Sequence, residues 1–349
     1  MKLYRKLHNL AAKSPFLVKT ARNIIGSDII NNSPIYQYIA LQRAQKLHRS
    51  RPFGLKTLCI ETTLACNARC IMCTRRSFPH KIGTMSDAVY QKTLNEAKDI
   101  GVKELGLSVY GEPLLDPKFV QRATLADKLG FQFYFFSNAS LLTESLARQL
   151  LQLPGFTSVY FSINGFSKKT YEEIMVGLDR DKVFANVLRF LELIKESNRR
   201  IKVIIDCVVF EKNIHEVKDI KRFWHSKEGV DTVYFPVIRN RGGTRLDIEA
   251  DSDKVEFSPL SKKNRKLHPC RYLWEGIFVY WNGDVGVCCE DNAARRIVVG
   301  NIANQSLADI WNGPKMNSLR KLHLDGKRAM HPVCGKQCSY NTAWLFQSA

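Results

Sequence analysis

The chain has 349 residues, 45% of them apolar, and a formal charge of +20 from 53 Lys and Arg against 33 Asp and Glu. That length and apolar share exclude a disordered segment or a small stapled peptide, and they allow one large α/β domain with a smaller one beside it. Seven of the ten cysteines fall into two groups with metal-ligand spacing, which argues against a secreted disulfide framework and for a reducing, cytoplasmic setting.

Residues 1–50 hold nine Lys or Arg and a single acid, Asp28. The segment reads as short helices divided at Ser14-Pro15 and Ser33-Pro34, each a cap followed by proline at the first helical position. Leu3, Leu7 and Leu10 share one face of the first helix, with Lys2, Arg5, Lys6 and Lys13 around it. Such a helix either lies on an anionic membrane surface or packs against the rest of the protein. Lys13 and Lys19 interrupt the apolar stretch that a cleavable signal needs, and no uncharged run is long enough to cross a bilayer.

From residue 56 to about 238, apolar β-prone runs alternate with helical patterns, which implies βα units and a parallel sheet. Strands are expected at 56–62, 103–109, 132–137, 157–163, 201–209 and 231–237. Helices are expected near 86–100, 116–129, 143–152, 181–197 and 214–226. Directly after the first strand come Cys66, Cys70 and Cys73, spaced C-x3-C-x2-C on one loop. Soft thiolates so close together suit iron–sulfur chemistry, in which each takes one iron. Zinc would want a fourth ligand, for which His80 is within reach along the chain.

The C-x3-C-x2-C loop after a first strand resembles that of the radical S-adenosylmethionine (SAM) enzymes, with Met72 where the family usually has an aromatic residue. The resemblance implies a [4Fe-4S] cluster held by Cys66, Cys70 and Cys73, with one iron left open to bind SAM. It implies reductive cleavage of SAM to a 5′-deoxyadenosyl radical that takes hydrogen from a substrate, and a low-potential electron donor such as a flavodoxin or ferredoxin. The fold it implies is α/β: a partial (β/α)6 TIM-like barrel, in which the active site lies at the C-terminal ends of the strands.

The second strand ends in Tyr110-Gly111-Glu112-Pro113, similar to the family's GGEP motif with Tyr110 in place of the first glycine. Gly111 would let backbone approach a ligand closely, and Glu112 would accept from the SAM ammonium. Ser137 and Asn138 after the third strand, and Ser162 at the end of the fourth, are further candidates for SAM contact. Asn138 and Asn164 are also types that cap turns without any ligand. Cys59 and Cys207 lie within strands and read as small buried hydrophobes.

Beyond Asn240 the pattern loses its period, and a linker is expected there. Phe278 to Cys289 reads as a β-hairpin turning at Asn282-Gly283, followed by a strand at 297–302 and helices at 306–311 and 314–323. Cys270, Gly283 and Cys288 are spaced as at the start of the family's SPASM domain. With Cys334 and Cys338 they resemble the shortened twitch version, which implies one auxiliary [4Fe-4S] cluster on Cys270, Cys288, Cys334 and Cys338. Cys289 competes with Cys288 for that role, and a four-thiolate zinc site uses the same residues. The expected organisation is a basic helical extension at 1–50, a barrel at 51–245, and at 246–349 a linker followed by a small α+β domain containing the hairpin.

Members with one auxiliary cluster include enzymes that oxidise an aminocyclitol alcohol. Oxidation or another radical modification of a small sugar-like metabolite is therefore the expected function, with a peptide or protein maturase as the alternative. A non-enzymatic, zinc-stabilised protein that binds RNA or a membrane would explain the charge and the cysteines. It would explain neither Gly111-Glu112-Pro113 nor six βα units, so nucleic acid is not the expected partner.

Overall fold

The computed structural model describes residues 54–78, 81–236, 238, 269–270 and 272–337, together with 38 and 42. The helices expected within 1–50, the linker after Asn240, His80 and Cys338 lie outside the described residues. By their contacts, the described residues from 54 to 238 and from 272 to 318 form one compact unit, while 38, 42, Pro269, Cys270 and 319–337 belong to a second.

In the first unit, six strands follow one another in sheet order: β1 Thr57–Ile60, β2 Glu104–Gly106, β3 Gln132–Ser137, β4 Phe156–Ser162, β5 Lys202–Asp206 and β6 Val230–Tyr234. All five pairings between them are parallel. Helices α1 Asp87–Asp99, α2 Phe119–Lys128, α3 Glu144–Leu151, α5 Arg180–Glu196 and α6 Val217–His225 make the crossovers. This is the partial (β/α)6 barrel expected of the sequence. An additional short helix, α4 Lys168–Ile174, precedes α5 and was not expected. Ser167 caps it by accepting from Thr170, and the Glu216 carboxylate takes the N–H groups of Phe166 and Ser167.

Alternation along the strands sorts the side chains. Leu58, Leu105, Phe133, Phe135, Val159, Phe161, Val203 and Ile205 are almost fully buried, and the aromatic contacts of Phe135 with Phe119 and of Phe161 with Phe190 pack them against α2 and α5. Truncating one such Phe to Ala would cost about 3–5 kcal/mol. The alternate residues Tyr134, Phe136 and Tyr160 belong to the other sheet face, where Phe136 stacks on Tyr160 at 4.3 Å.

The Asn282-Gly283 hairpin is present. After α7 Tyr272–Glu275, β7 Gly276–Val279 turns through Gly283 at φ +86° into β8 Asp284–Gly286, and β9 Val298–Asn301 pairs antiparallel with β8. The first hairpin strand does something local sequence could not announce: β7 runs parallel to β1, from Thr57 opposite Gly276 to Ile60 opposite Val279. One nine-stranded sheet therefore extends from β6 to β9. Helices α8 Leu307–Asn312 and α9 Pro314–Leu324 follow. Among the described residues no helix is long and apolar enough to cross a membrane.

Candidate active site

The cysteine loop leaves the sheet at the C-terminal end of β1 and is held on three sides. Its root pairs with residues 83–85: Leu64 donates to the Gly83 carbonyl, Met85 donates to Thr62, and Thr63 bridges Thr84. Its tip pairs with the C-terminal end of α4 and the residues just after it, where Arg69 donates to the Val176 carbonyl at 2.7 Å and Ile71 to Ile174 at 3.0 Å. Between those two bonds the Cys70 sulfur sits 3.4 Å from the Met175 sulfur, and the Asn164 amide reaches the same thioether at 3.0 Å.

The third side is the turn after β2. Gly111 has φ +87°, and a Cβ there would stand 2.4 Å from the Thr63 carbonyl oxygen and 2.8 Å from that of Ala65. The protein's own backbone at the root of the cysteine loop thus comes close to Gly111. Glu112 then donates its N–H to the Ala65 carbonyl at 2.7 Å, and Pro113 opens a 3₁₀ turn over Pro113–Leu115.

The Glu112 side chain is buried. Its carboxylate accepts from Leu114 N–H at 3.2 Å, the Ser137 hydroxyl at 2.8 Å and Asn138 N–H at 2.7 Å. Burial pushes its pKa up to about 7, against the pull of these donors. Three of the residues proposed for SAM contact therefore hydrogen-bond one another and brace the turns after β2 and β3. Asn138 carries the bracing back to the cysteine loop by donating to the Asn67 side chain at 3.0 Å, and Asn67 donates to Ser140 at 2.8 Å. Ser162 ends the neighbouring strand, in register with Asp206.

The three thiols sense one another. Burial pushes Cys70 up to about 12, and the charges of Cys73 and Cys66 add to it. Burial likewise raises Cys66, which the Glu112 and Cys73 charges raise further, against Ala68 N–H and Arg75. Three thiolates gathered in a half-buried place repel one another unless positive charge is supplied, and iron supplies it while binding only the deprotonated form. Among the described residues no three Cys, His, Asp or Glu close on a point suited to one metal ion. Thiolates that each take a different iron of a cluster stand further apart than that. Donor type, loop geometry and mutual repulsion fit a cluster at Cys66, Cys70 and Cys73.

Cys207 is fully buried, as expected, whereas Cys59 on β1 is only partly buried. Burial raises Cys59 to about 11, with the Tyr134 hydroxyl 3.7 Å away, and Cys207 to about 12. Of the C-terminal cysteines, Cys270 donates its N–H to His323 and Cys334 donates its N–H to His331, each at 3.1 Å. Both belong to the second unit, whereas Cys288 and Cys289 belong to the first. Sequence reasoning missed Asn67, Met175, His323 and His331, and had Asn164 only as a turn cap. Asn67 was the most legible of them, since it lies inside the cysteine motif.

Two family models match the chain: the radical SAM superfamily over residues 60–223 and an iron–sulfur cluster-binding domain, SPASM, over 270–339. The chain is 22% identical to the tungsten-containing aldehyde ferredoxin oxidoreductase cofactor-modifying protein of Pyrococcus furiosus, covering 84% of this chain and 89% of that one. It is 23% identical to the S-adenosyl-L-methionine-dependent 2-deoxy-scyllo-inosamine dehydrogenase of Niallia circulans, over 80% of this chain and 91% of that protein. Among solved structures, Streptococcus suis SuiB bound to its precursor peptide SuiA superposes with a TM-score of 0.63 at 16% identity, over 85% of this chain and 74% of that one. The chain belongs to the radical SAM superfamily, with S-adenosylmethionine and [4Fe-4S] clusters as its cofactors and a SPASM-type domain at its C-terminal side.

Proposed function

We propose that this radical SAM enzyme oxidises, or otherwise modifies by hydrogen abstraction, a small sugar-like metabolite, with a second cluster as electron acceptor. The observation that carries this reading is the similarity to the 2-deoxy-scyllo-inosamine dehydrogenase, which extends over 91% of that enzyme. Cys66, Cys70 and Cys73 hold the SAM cluster. Cys270, Cys288, Cys334 and Cys338 hold the auxiliary one, with Cys289 as the competitor of Cys288.

When bound, the first cluster supplies an electron that splits SAM into methionine and the 5′-deoxyadenosyl radical. The chain's residues orient and shield. Gly111, Glu112 and Pro113 shape the turn for the methionine end of SAM, and Ser137 and Asn138 lock that turn through the Glu112 carboxylate. Ser162 offers a hydroxyl at the end of β4. An auxiliary cluster on Cys270, Cys288, Cys334 and Cys338 would supply an acceptor for the one electron that an alcohol gives up once its carbinol hydrogen atom and its hydroxyl proton have been removed and C=O forms. A low-potential flavodoxin or ferredoxin in the cytoplasm would supply the electron for SAM cleavage.

Peptide modification is the second reading, favoured by the fold shared with SuiB, which was solved with a precursor peptide. Anaerobic turnover with SAM and dithionite separates the two. Loss of two hydrogens from an aminocyclitol or related polyol, in step with 5′-deoxyadenosine, supports oxidation of a small molecule. Turnover confined to peptides would replace that reading with the second.

A further inference from the structure

Glu61 is the first residue beyond β1, five positions before Cys66, and its side chain is fully buried. One carboxylate oxygen accepts from Arg295 Nη2 at 2.6 Å and from the Trp281 N–H at 3.3 Å. Arg295 is itself only 7% exposed. It lies on the loop between β8 and β9 that also carries Cys288, and it reaches Glu61 from a backbone at φ +52°, a conformation that non-glycine residues seldom hold without compensation. The guanidinium stacks over the Tyr280 ring at 4.1 Å, and Arg295 donates through Nε to the Asn292 carbonyl at 3.4 Å. The Tyr280 hydroxyl donates to the Asn292 side chain at 2.8 Å. Asp291 continues the loop's bracing: its N–H donates to the Cys288 carbonyl, and its carboxylate accepts from Arg296 and from Ile297 N–H. Arg295, Glu61, Asp291 and Cys288 all lie within electrostatic reach of the Tyr280 phenol.

We propose that Glu61 and Arg295 are positioning residues, whose buried ion pair clamps the Cys288-bearing loop to the end of β1, the strand that leads into the loop of the SAM-cluster cysteines. Removing one partner of a buried pair leaves the other uncompensated, so the loop must move or admit water. The Trp281 indole docks the same hairpin against Gly83, where an added Cβ would clash with its ring. Gly83 accepts from Leu64, so both ends of the hairpin's grip fall on the root of the cysteine loop. With Cys288 as a cluster ligand, as proposed above, the clamp also sets the charge beside the auxiliary cluster. Its net contribution there is near zero while the pair is intact and positive once Glu61 is neutralised.

The test uses the full chain reconstituted anaerobically with iron and sulfide, comparing wild type with Glu61→Gln and Arg295→Lys. Amide hydrogen exchange over 287–297 should rise at least tenfold in Glu61→Gln, while β3 to β5 keep wild-type protection. The midpoint potential of the auxiliary cluster, followed by electron paramagnetic resonance, should move upward. Arg295→Lys keeps the charge and should keep the potential near wild type, even where exchange loosens. This second variant carries the test if Glu61→Gln does not fold: a potential shifted as far as one produced by Arg295→Gln would overturn the proposal. Unchanged exchange over 287–297 in folded Glu61→Gln overturns the clamp. Iron content of Cys288→Ala separates this from the ligand assignment: undiminished iron there removes Cys288 from the cluster, while the exchange result still decides the clamp.

Discussion

The carboxylate of Glu112 accepts the backbone N–H of Asn138 at 2.7 Å, and this one bond ties the turn after β2 to the turn after β3. Through Asn138 and Asn67 the tie continues to the cysteine loop. Three turns that are distant in sequence are thereby fixed to one another before any ligand arrives, which is the preorganisation a SAM site needs.

Glu112→Gln tests that tie. The amide keeps one acceptor oxygen, but its NH2 now faces either the Ser137 hydroxyl or the Asn138 N–H, both of which donate to Glu112. Loss of charge-assisted, buried bonds of this kind costs about 1–3 kcal/mol. Thermal melts should show that destabilisation, and equilibrium binding should show weaker SAM affinity with iron content retained.

Gly111→Ala should be worse than its size suggests. The residue holds φ +87°, and its Cβ would meet the Thr63 carbonyl at 2.4 Å. The root of the cysteine loop must shift to admit it, at a cost of roughly 2 kcal/mol or more. Iron incorporation at the SAM cluster should fall while the far-ultraviolet circular dichroism of the barrel stays close to wild type.

Stability of the metal-free protein should fall as pH rises between about 4.5 and about 7. Burial lifts Glu112 from 4.5 to about 7. The folded chain thus holds this proton to higher pH than the unfolded chain does. Its contribution is complete below the unfolded value and is lost as pH passes through the folded one, at most about 3 kcal/mol. Melting temperatures across that window should decline, and Glu112→Gln should flatten the slope. A melting temperature that rises with pH over this range would contradict the assignment.

The C-terminal cysteines should fail differently from the first three. Replacing Cys270, Cys288, Cys334 and Cys338 with Ala should leave about half the iron, if each set holds one four-iron cluster. Formation of 5′-deoxyadenosine without substrate should persist, while completed substrate oxidation is lost. Full turnover by the folded variant would make the auxiliary site structural.

Much of this was legible because it was local. Cys66, Cys70 and Cys73 lie within eight residues, the six strands are separated by helices of ordinary length, and Asn282-Gly283 states its own turn. Helix α4 was missed because seven residues give too little periodicity to register, and its caps, Ser167 and Glu216, are far apart in sequence. The parallel pairing of β7 with β1 joins segments some two hundred residues apart, so no local pattern encodes it. Glu61 fell within the expected strand 56–62 with no role assigned, because its partner Arg295 appears only once that pairing is made. Glu112 was singled out from its motif, but its bonds to the turns after β2 and β3 depend on the register of those strands, which local sequence does not state.

The most direct measurement of the central claim is 5′-deoxyadenosine formation from SAM and dithionite by the Cys66→Ala/Cys70→Ala/Cys73→Ala variant, assayed anaerobically beside the wild type at matched folding. The wild type should form 5′-deoxyadenosine and the triple variant none, with the auxiliary cluster still loaded. Production of 5′-deoxyadenosine by the triple variant at the wild-type rate would contradict the assignment of these three thiolates to the SAM cluster.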